Sequence, residues 1–303
     1  MNNILVTGGC GFIGSNLVDQ LVSDGHNVIV IDNLSSTAHD QFYYNKNAIY
    51  YNIDITDKDS LNKIFKNHSI DYIFHLAAEC RIQNCIKNPT KAFNTNTIGT
   101  QNILEMAKIF NIKRVLLSST SAIYGLNDIL PQKETLPADC LNMYSYSKLF
   151  SEGLCKLYST AYGVDSVCFR YFNVYGPRQP VRGSYAPVIG VFSRQKKMGD
   201  PMTIVGDGLQ TRDYVHVFDI VSANIAAMNI NQKLNADIIN IGTGVSYSVL
   251  DIATQMGGPY VHVSSRQGEA RHTLADVSKA KSILNWESKK DLISYIKNEE
   301  YKL

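Results

Sequence analysis

Ile4-Leu5-Val6-Thr7-Gly8-Gly9-Cys10-Gly11-Phe12-Ile13-Gly14 lies close to the start of the chain and decides the reading of everything after it. A short apolar run ends in glycines. The next segment carries Ile13, Leu17, Val18, Leu21 and Val22, the spacing of one helix face, with Gly25 where a C-cap belongs. The stretch therefore reads strand, loop, helix. Gly8 can take a tight turn, Gly11 lets the backbone approach a pyrophosphate, and Gly14 lets the helix pack onto the strand. The helix N-terminus offers free N–H donors and a positive dipole to phosphates. Glycine spacing alone is weak evidence. Here the next strand, Val28 to Ile31, ends at Asp32, about twenty residues on, where the dinucleotide fingerprint places an acidic residue. An aspartate there accepts from ribose hydroxyls and repels a 2′-phosphate, so NAD is favoured over NADP. The competing reading is a glycine turn that binds nothing.

Working outward, strands are expected at Ile49 to Ile53, Tyr72 to Leu76, Val115 to Ser118 and Val167 to Phe169, with helices at about 57–67, 92–110 and 144–161. Apolar β-branched strands alternating with helices predict a parallel sheet covered on both faces. The fold class is α/β: a Rossmann-type, doubly wound parallel sheet. After about Tyr171 the pattern changes, and Pro177, Pro180, Gly183, Pro187 and Gly190 mark loops and short elements. Phe218 to Met228 reads as a helix and Ile238 to Ile241 as a strand. The expected division is an NAD-binding domain over 1–172 and a smaller interwoven α/β substrate-binding domain over 173–303. About 214–244 is expected to return to the first sheet.

Composition narrows the function classes. The 303 residues suit one or two domains, with 45% hydrophobic and 18% charged residues, ordinary for a globular protein. A net charge of +2 is too small to make nucleic acid or a membrane surface the main partner. No apolar run approaches the roughly 18 residues of a membrane helix. The N-terminus lacks a basic region and a small-residue cleavage site, so no signal peptide is expected. Cys10, Cys80, Cys85, Cys140, Cys155 and Cys168 form no CxxC pair and complete no zinc pattern, so no metal is expected. They read as buried free thiols in a reducing compartment, and the cytoplasm is the expected location.

The chemistry is carried by Tyr144-Ser145-Tyr146-Ser147-Lys148 at the start of a predicted helix. Tyr144 and Lys148 are four apart and share a helical face. Tyr146 has Phe150 at that offset, so it is not the paired tyrosine. An ammonium and a positive nicotinamide both favour a phenolate, which can take a proton from a hydroxyl while its carbon loses hydride. Alone, the pair is equally two surface residues; its meaning comes from following a dinucleotide loop. Before it, Leu117-Ser118-Ser119-Thr120-Ser121-Ala122-Ile123-Tyr124-Gly125 ends a strand in hydroxyls, one of which can relay a proton to Tyr144. Asp54-Ile55 closes the third strand, where an aspartate can face the adenine or cap the following helix.

Together these elements resemble the extended short-chain dehydrogenase/reductase family, and most closely its UDP-hexose 4-epimerases. The resemblance spans essentially the whole chain. It takes in His75-Leu76-Ala77-Ala78, Asn96 before Gly99-Thr100, Arg170 to Arg178, Arg212-Asp213-Tyr214-Val215-His216 and Asn240 to Gly244. It implies catalytic roles for Thr120, Tyr144 and Lys148. It implies cofactor contacts from Gly8, Gly11, Phe12, Ile13, Gly14, Asp32, Asn33, Asp54, Ile55, Leu76, Ala77, Ala78, Asn96, Ser118, Tyr144, Lys148 and Tyr171. For the substrate it implies Thr120, Ser121, Asn173 and Thr273, with Arg212 and Arg266 on the diphosphate. For either arginine an intramolecular salt bridge is the alternative.

Departures from the family's other branches are informative. Dehydratases of the family that this chain resembles carry Asp-Glu directly after the catalytic threonine, and decarboxylases a glutamate in the second position. Here the two residues are Ser121 and Ala122. The resemblance therefore implies C4 epimerisation of a UDP-sugar through a 4-keto intermediate, by a homodimer that pairs the helices at about 92–110 and 144–161. Thr273 aligns with a gatekeeper position where a tyrosine restricts the pocket to plain hexoses. UDP-glucose/galactose and UDP-N-acetylglucosamine/galactosamine are both expected substrates. The competing readings are a uronate 4-epimerase, a dehydratase, a decarboxylase, or a non-catalytic NAD sensor.

Overall fold

Ile4, Leu5 and Val6 occupy β1 (Asn3–Thr7) and are fully buried, as the middle strand of a two-faced sheet must be. The computed structural model describes residues 1–36, 41–181, 186–264, 270–299 and 301. β2 (Asn27–Ile31), β3 (Ile49–Tyr51), β4 (Tyr72–His75), β5 (Arg114–Thr120) and β6 (Ser166–Tyr171) join β1 in one sheet. The chain then leaves through β7 (Asn173–Tyr175), β8 (Met202–Val205) and β9 (Thr211–His216) and returns as β10 (Asp237–Ile241). The seven strands run β10-β6-β5-β4-β1-β2-β3, every neighbouring pair parallel.

Strand alternation divides the core. Ile4, Val6, Val28, Val30 and Leu116 face one layer, with α1 (Phe12–Ser23) among its partners. Leu5, Ile29, Ile31, Val115 and Leu117 face the other. That second layer is covered by α2 (Lys58–Asn67), α5 (Gly99–Ile109) and α6 (Met143–Tyr162). Between α2 and α5 lie two short helices, α3 (Ile82–Lys87) and α4 (Pro89–Phe93).

The smaller part has its own core of Tyr175, Phe192, Ile204, Tyr214, Ile252 and Tyr295. It is built from α7 (Val188–Met198), β11 (Ser246–Ser248), α9 (Val249–Met256), β12 (Tyr260–Val263) and α11 (Leu292–Lys297). β11-β9-β7 form one small sheet and β12-β8 another. α8 (Val217–Asn229) and α10 (Ser278–Leu284) pack back onto the large sheet with β10. The chain thus crosses between the two parts several times. Among the described residues no helix is long and apolar enough to cross a membrane.

Three local expectations change. The third strand stops at Tyr51, short of Ile53. The helix expected at 92–110 is interrupted by a π-helical turn over Asn94–Ile98, which turns Asn96 into the interior. The loops expected after Tyr171 include the eleven-residue α7, because Pro187 sits at its N-cap, where a missing N–H costs nothing.

Candidate active site

A cleft of about 300 Å³ opens where β1, β2, β4, β5 and β6 end, lined by Gly8, Asp32, Leu76, Ser118, Thr120 and Tyr171 among others. Parallel strands place all their C-terminal ends on one edge, so loops distant in sequence converge there.

The glycine loop shows what the cleft is shaped to hold. Gly8 has φ +71°, and a Cβ on it would stand 2.7 Å from the Ala77 nitrogen. A Cβ on Gly14 would stand 2.2 Å from the Gly8 carbonyl oxygen. Only bare backbone fits, which leaves the start of α1 open to a phosphate. Asp32 is preorganised beside it: the Cys10 N–H donates to Oδ2 at 3.0 Å and the Leu34 N–H to Oδ1 at 2.9 Å. Each oxygen keeps a lone pair for a ribose hydroxyl. The loop and the acidic strand end together fit a dinucleotide.

α6 brings Tyr144 and Lys148 to the same wall. Its N-terminus is closed by a capping box in which Asn142 accepts from the Ser145 N–H at 3.1 Å. Tyr144 and Lys148 then project one turn apart into the cleft. Lys148 Nζ donates to the Ser118 carbonyl at 2.7 Å, and burial pulls its pKa down to about 8. Burial pushes the Tyr144 phenol up, with Cys80 adding to the rise and a hydrogen bond with Thr120 opposing it. No hydrogen bond joins Lys148 to Tyr144 among the described contacts. The ammonium is held by β5, so desolvation governs the resting phenol. Thr120 Oγ1 also accepts from the Ala122 N–H at 3.1 Å.

A model of the NAD dependent epimerase/dehydratase family matches residues 4–242. This chain belongs to that family. A protein of Methanocaldococcus jannaschii, provisionally named a UDP-glucose 4-epimerase, is 39% identical over 97% of this chain and 96% of its own. The crystal structure of a Thermotoga maritima UDP-glucose 4-epimerase with UDP-glucose superposes with a TM-score of 0.92 at 36% identity, covering 99% of this chain and 98% of that one. A UDP-N-acetylglucosamine 4-epimerase from Methanobrevibacter ruminantium, in complex with UDP-N-acetylmuramic acid, gives 0.91 at 32%, covering 99% and 97%. A UDP-glucuronate 4-epimerase from Thermodesulfobacterium geofontis is 33% identical over 95% of this chain and 91% of its own. The chain is thus an NAD-dependent enzyme of the epimerase/dehydratase family, and its relatives span several UDP-sugars.

Within this family member, Gly8, Gly11, Phe12, Ile13, Gly14, Asp32, Asn33, Ile55, Leu76, Ala77, Ala78, Ser118, Thr120, Tyr144, Lys148 and Tyr171 all line the cleft. Asp54 does not. Its neighbours Ile53 and Ile55 form the wall, and its carboxylate closes a turn with Thr56 and accepts from Asn33 at 2.7 Å. Asp57, not Asp54, caps α2. Asn96 lies behind the wall, donating to the Glu79 carbonyl at 3.0 Å and to Ser147 Oγ at 2.9 Å. It braces α6 rather than touching the cleft. Ser121 is turned off the wall by the 3-10 turn that Thr120 begins.

Asn173, Arg212 and Thr273 gather instead around β9. Asn173 Nδ2 donates to the Asp213 carbonyl at 3.2 Å, the Thr273 N–H to the Thr211 carbonyl at 3.1 Å, and Arg212 Nη1 to the Arg271 carbonyl at 3.2 Å. Arg266 lies outside the described residues.

Among the residues on the cleft wall that the sequence reading passed over are Glu79, Cys80, Lys91 and Thr95, from the loop after β4, α4 and the π turn, and Ser119 and Phe172 at the ends of β5 and β6. No periodicity marks them; only their place after a strand end could have. Cys80 also corrects the expectation of buried thiols. Cys10, Cys85, Cys155 and Cys168 are buried and Cys140 partly so, but Cys80 is exposed and lines the cleft. His75, beneath the loop, meets Thr7 Oγ1 at 2.7 Å and Thr100 Oγ1 at 3.0 Å, and burial depresses its pKa to about 3. Among the described residues no cluster could hold a metal.

Proposed function

We propose that this enzyme inverts C4 of a UDP-hexose, acting on UDP-glucose/UDP-galactose and also on UDP-N-acetylglucosamine/UDP-N-acetylgalactosamine. The observation that carries this reading is one cleft wall on which Thr120, Tyr144 and Lys148 stand beside a glycine loop shaped for a dinucleotide. Gly8, Gly14 and Asp32 would hold the cofactor. NAD, when bound, supplies the hydride acceptor and donor for C4 and a positive ring charge that favours the Tyr144 phenolate.

The chain's own groups do the rest. Tyr144 takes the C4 hydroxyl proton, with Thr120 hydrogen-bonded to it, and returns a proton once the 4-keto sugar has turned its other face. Lys148, held by Ser118, keeps a cation next to that exchange. Arg212 grips the diphosphate and leaves the sugar free to rotate about that linkage. Thr273 leaves room for an N-acetyl group. Ser121 and Ala122 follow Thr120, so the strand end has no carboxylate for elimination or decarboxylation. Glu79 is an acidic residue on the cleft wall. It already accepts from the Arg81 N–H and from Asn84 Nδ2, both at 3.3 Å.

We further propose a homodimer built on α5 and α6. Tyr146, Phe150 and Leu157 on α6 are 50%, 56% and 52% exposed among the described residues, an apolar face on which Phe150 meets Phe93.

The test is to incubate purified protein, with no added NAD, with UDP-glucose and separately with UDP-N-acetylglucosamine, following the sugars by proton NMR. Conversion to both galacto epimers is expected. A 4-keto-6-deoxy product, or turnover of UDP-glucuronate alone, would overturn the reading in favour of a dehydratase or a uronate enzyme.

A further inference from the structure

Directly behind the cleft hydroxyls lies a buried ion pair that the reaction as derived above does not use. Glu152 follows Lys148 by one turn of α6, as Lys148 follows Tyr144. Its carboxylate is fully enclosed. Arg170 on β6 donates to it twice, from Nε to Oε1 at 3.0 Å and from Nη2 to Oε2 at 2.7 Å. The side chains of the pair are 4% and 2% exposed. The third donor is Ser119 Oγ, at 2.6 Å from Oε1.

Ser119 stands between Ser118, whose carbonyl holds Lys148, and Thr120. Arg170 reaches onward as well. Its guanidinium lies 4.8 Å from the Tyr124 ring centroid, and the Tyr124 hydroxyl donates to Asn240 Oδ1 at 2.7 Å. Tyr124 closes the 3-10 turn that begins at Thr120. Thr120 is therefore bracketed by two residues, Ser119 and Tyr124, both tied to one carboxylate–guanidinium pair.

We propose that Glu152 is a positioning residue for the acid–base pair: clamped by Arg170, it holds Ser119 and so sets the Ser118 carbonyl against Lys148 and Thr120 against Tyr144. This rests on the roles proposed above for those residues. A buried ion pair is a poor source of stability, because desolvation offsets much of its attraction. It is well suited to fixing atoms, since each oxygen has a directed partner and neither has water to exchange with. Proton transfer needs donors held within about 0.5 Å. Here α6, β5 and β6 are locked at the level where the reacting groups emerge.

A charge readout separates this role from mere packing. The titratable groups acting on Lys148 are Cys80, Glu152, Cys155 and Cys168, and Glu152 is the carboxylate among them, raising the lysine's pKa against its burial. His75 and Cys85 also feel Lys148, and Tyr144 stands one turn before it. Removing the charge must let Lys148 deprotonate at lower pH. For Glu152→Gln, with UDP-glucose as substrate and NAD supplied, kcat should fall on the order of 10- to 100-fold while KM stays within about twofold. The alkaline limb of the kcat profile should move down by about one pH unit. Glu152→Asp should return that limb to its wild-type position while kcat stays low. An unmoved limb, or a wild-type kcat, in Glu152→Gln overturns the proposal.

Should that variant fail to fold, Ser119→Ala decides, because it leaves the ion pair intact. A lowered kcat at an unchanged melting temperature upholds the proposal, and a wild-type kcat rejects it. A wild type inert toward UDP-sugars sinks the parent reading and this one together. An active wild type with an indifferent Glu152→Gln sinks this one alone.

Discussion

The cleft proposed for the cofactor and the cluster around β9 proposed for the substrate are built in opposite ways. On the proposed cofactor side the cleft is lined by backbone positions and strand ends: Gly8, Gly14, Asp32, Leu76, Ser118. A parallel sheet delivers them to one edge by its topology alone. On the proposed substrate side, Asn173, Arg212 and Thr273 come from three separate segments that meet around β9. Backbone carbonyls hold Asn173 and Thr273 to β9, and one buried carboxylate ties two further loops to that strand. Asp213 accepts from the Thr243 N–H at 2.8 Å, the Gly244 N–H at 2.9 Å and the Ala275 N–H at 3.2 Å. Burial nevertheless pushes its pKa up, against those bonds. A function written into backbone geometry tolerates little variation. One written into side chains on converging loops can be retuned residue by residue, which fits relatives with one fold and several sugars.

Substitutions can test this contrast. The largest effect is expected where the two sides meet. Tyr144→Phe should fold and keep its cofactor, yet lose on the order of 10³-fold or more in kcat. A rate near wild type in single-turnover assays would remove Tyr144 from the chemistry. On the substrate side, Thr273→Tyr should cut kcat/KM for UDP-N-acetylglucosamine by roughly 10- to 100-fold relative to UDP-glucose, the scale of a steric clash in a pocket. Equal losses on both sugars would mean that Thr273 supports the fold and not the selectivity.

On the cofactor side a single methyl should matter, since Gly14 has no room for one. Gly14→Ala should cost about 1–3 kcal/mol of stability and reduce retained NAD, read by thermal melting and by cofactor content after gel filtration. Unchanged retention would show that the loop can relax. Smallest in its effect on turnover is Phe150→Asp. It should convert a dimer to a monomer in sedimentation at micromolar concentration while the monomer keeps its melting transition. A wild type that already sediments as a monomer removes the proposed interface.

Much of the first side was legible before any coordinates. The segment from Ile4 to Gly14 carries its own context: a strand, a loop and a helix, with Asp32 at the next strand end. Tyr144 and Lys148 were legible because helical spacing is local. Asp54 was less legible, because a strand-end aspartate serves a turn as readily as a ligand, and here its carboxylate closes a turn with Thr56 between the wall residues Ile53 and Ile55. The inward turn of Asn96 was not legible either, since it comes with the π turn. Cys80, Lys91 and Thr95 were invisible, since nothing local distinguishes a cleft residue from any other loop residue.

What the sequence determined by itself was whatever depends on neighbours along the chain: the alternation that buries each strand on both faces, the glycines that admit only backbone, and the helix that carries Tyr144 and Lys148 one turn apart. Tertiary structure alone decided what depends on neighbours across the chain. It spent the Lys148 ammonium on the Ser118 carbonyl, set Glu152 and Arg170 behind Thr120, and drew Asn173, Arg212 and Thr273 together around β9. The physical reason is range. Backbone propensity and periodicity act over a few residues, whereas a hydrogen bond or a burial cost depends on whichever atoms the finished fold brings within about 3 Å.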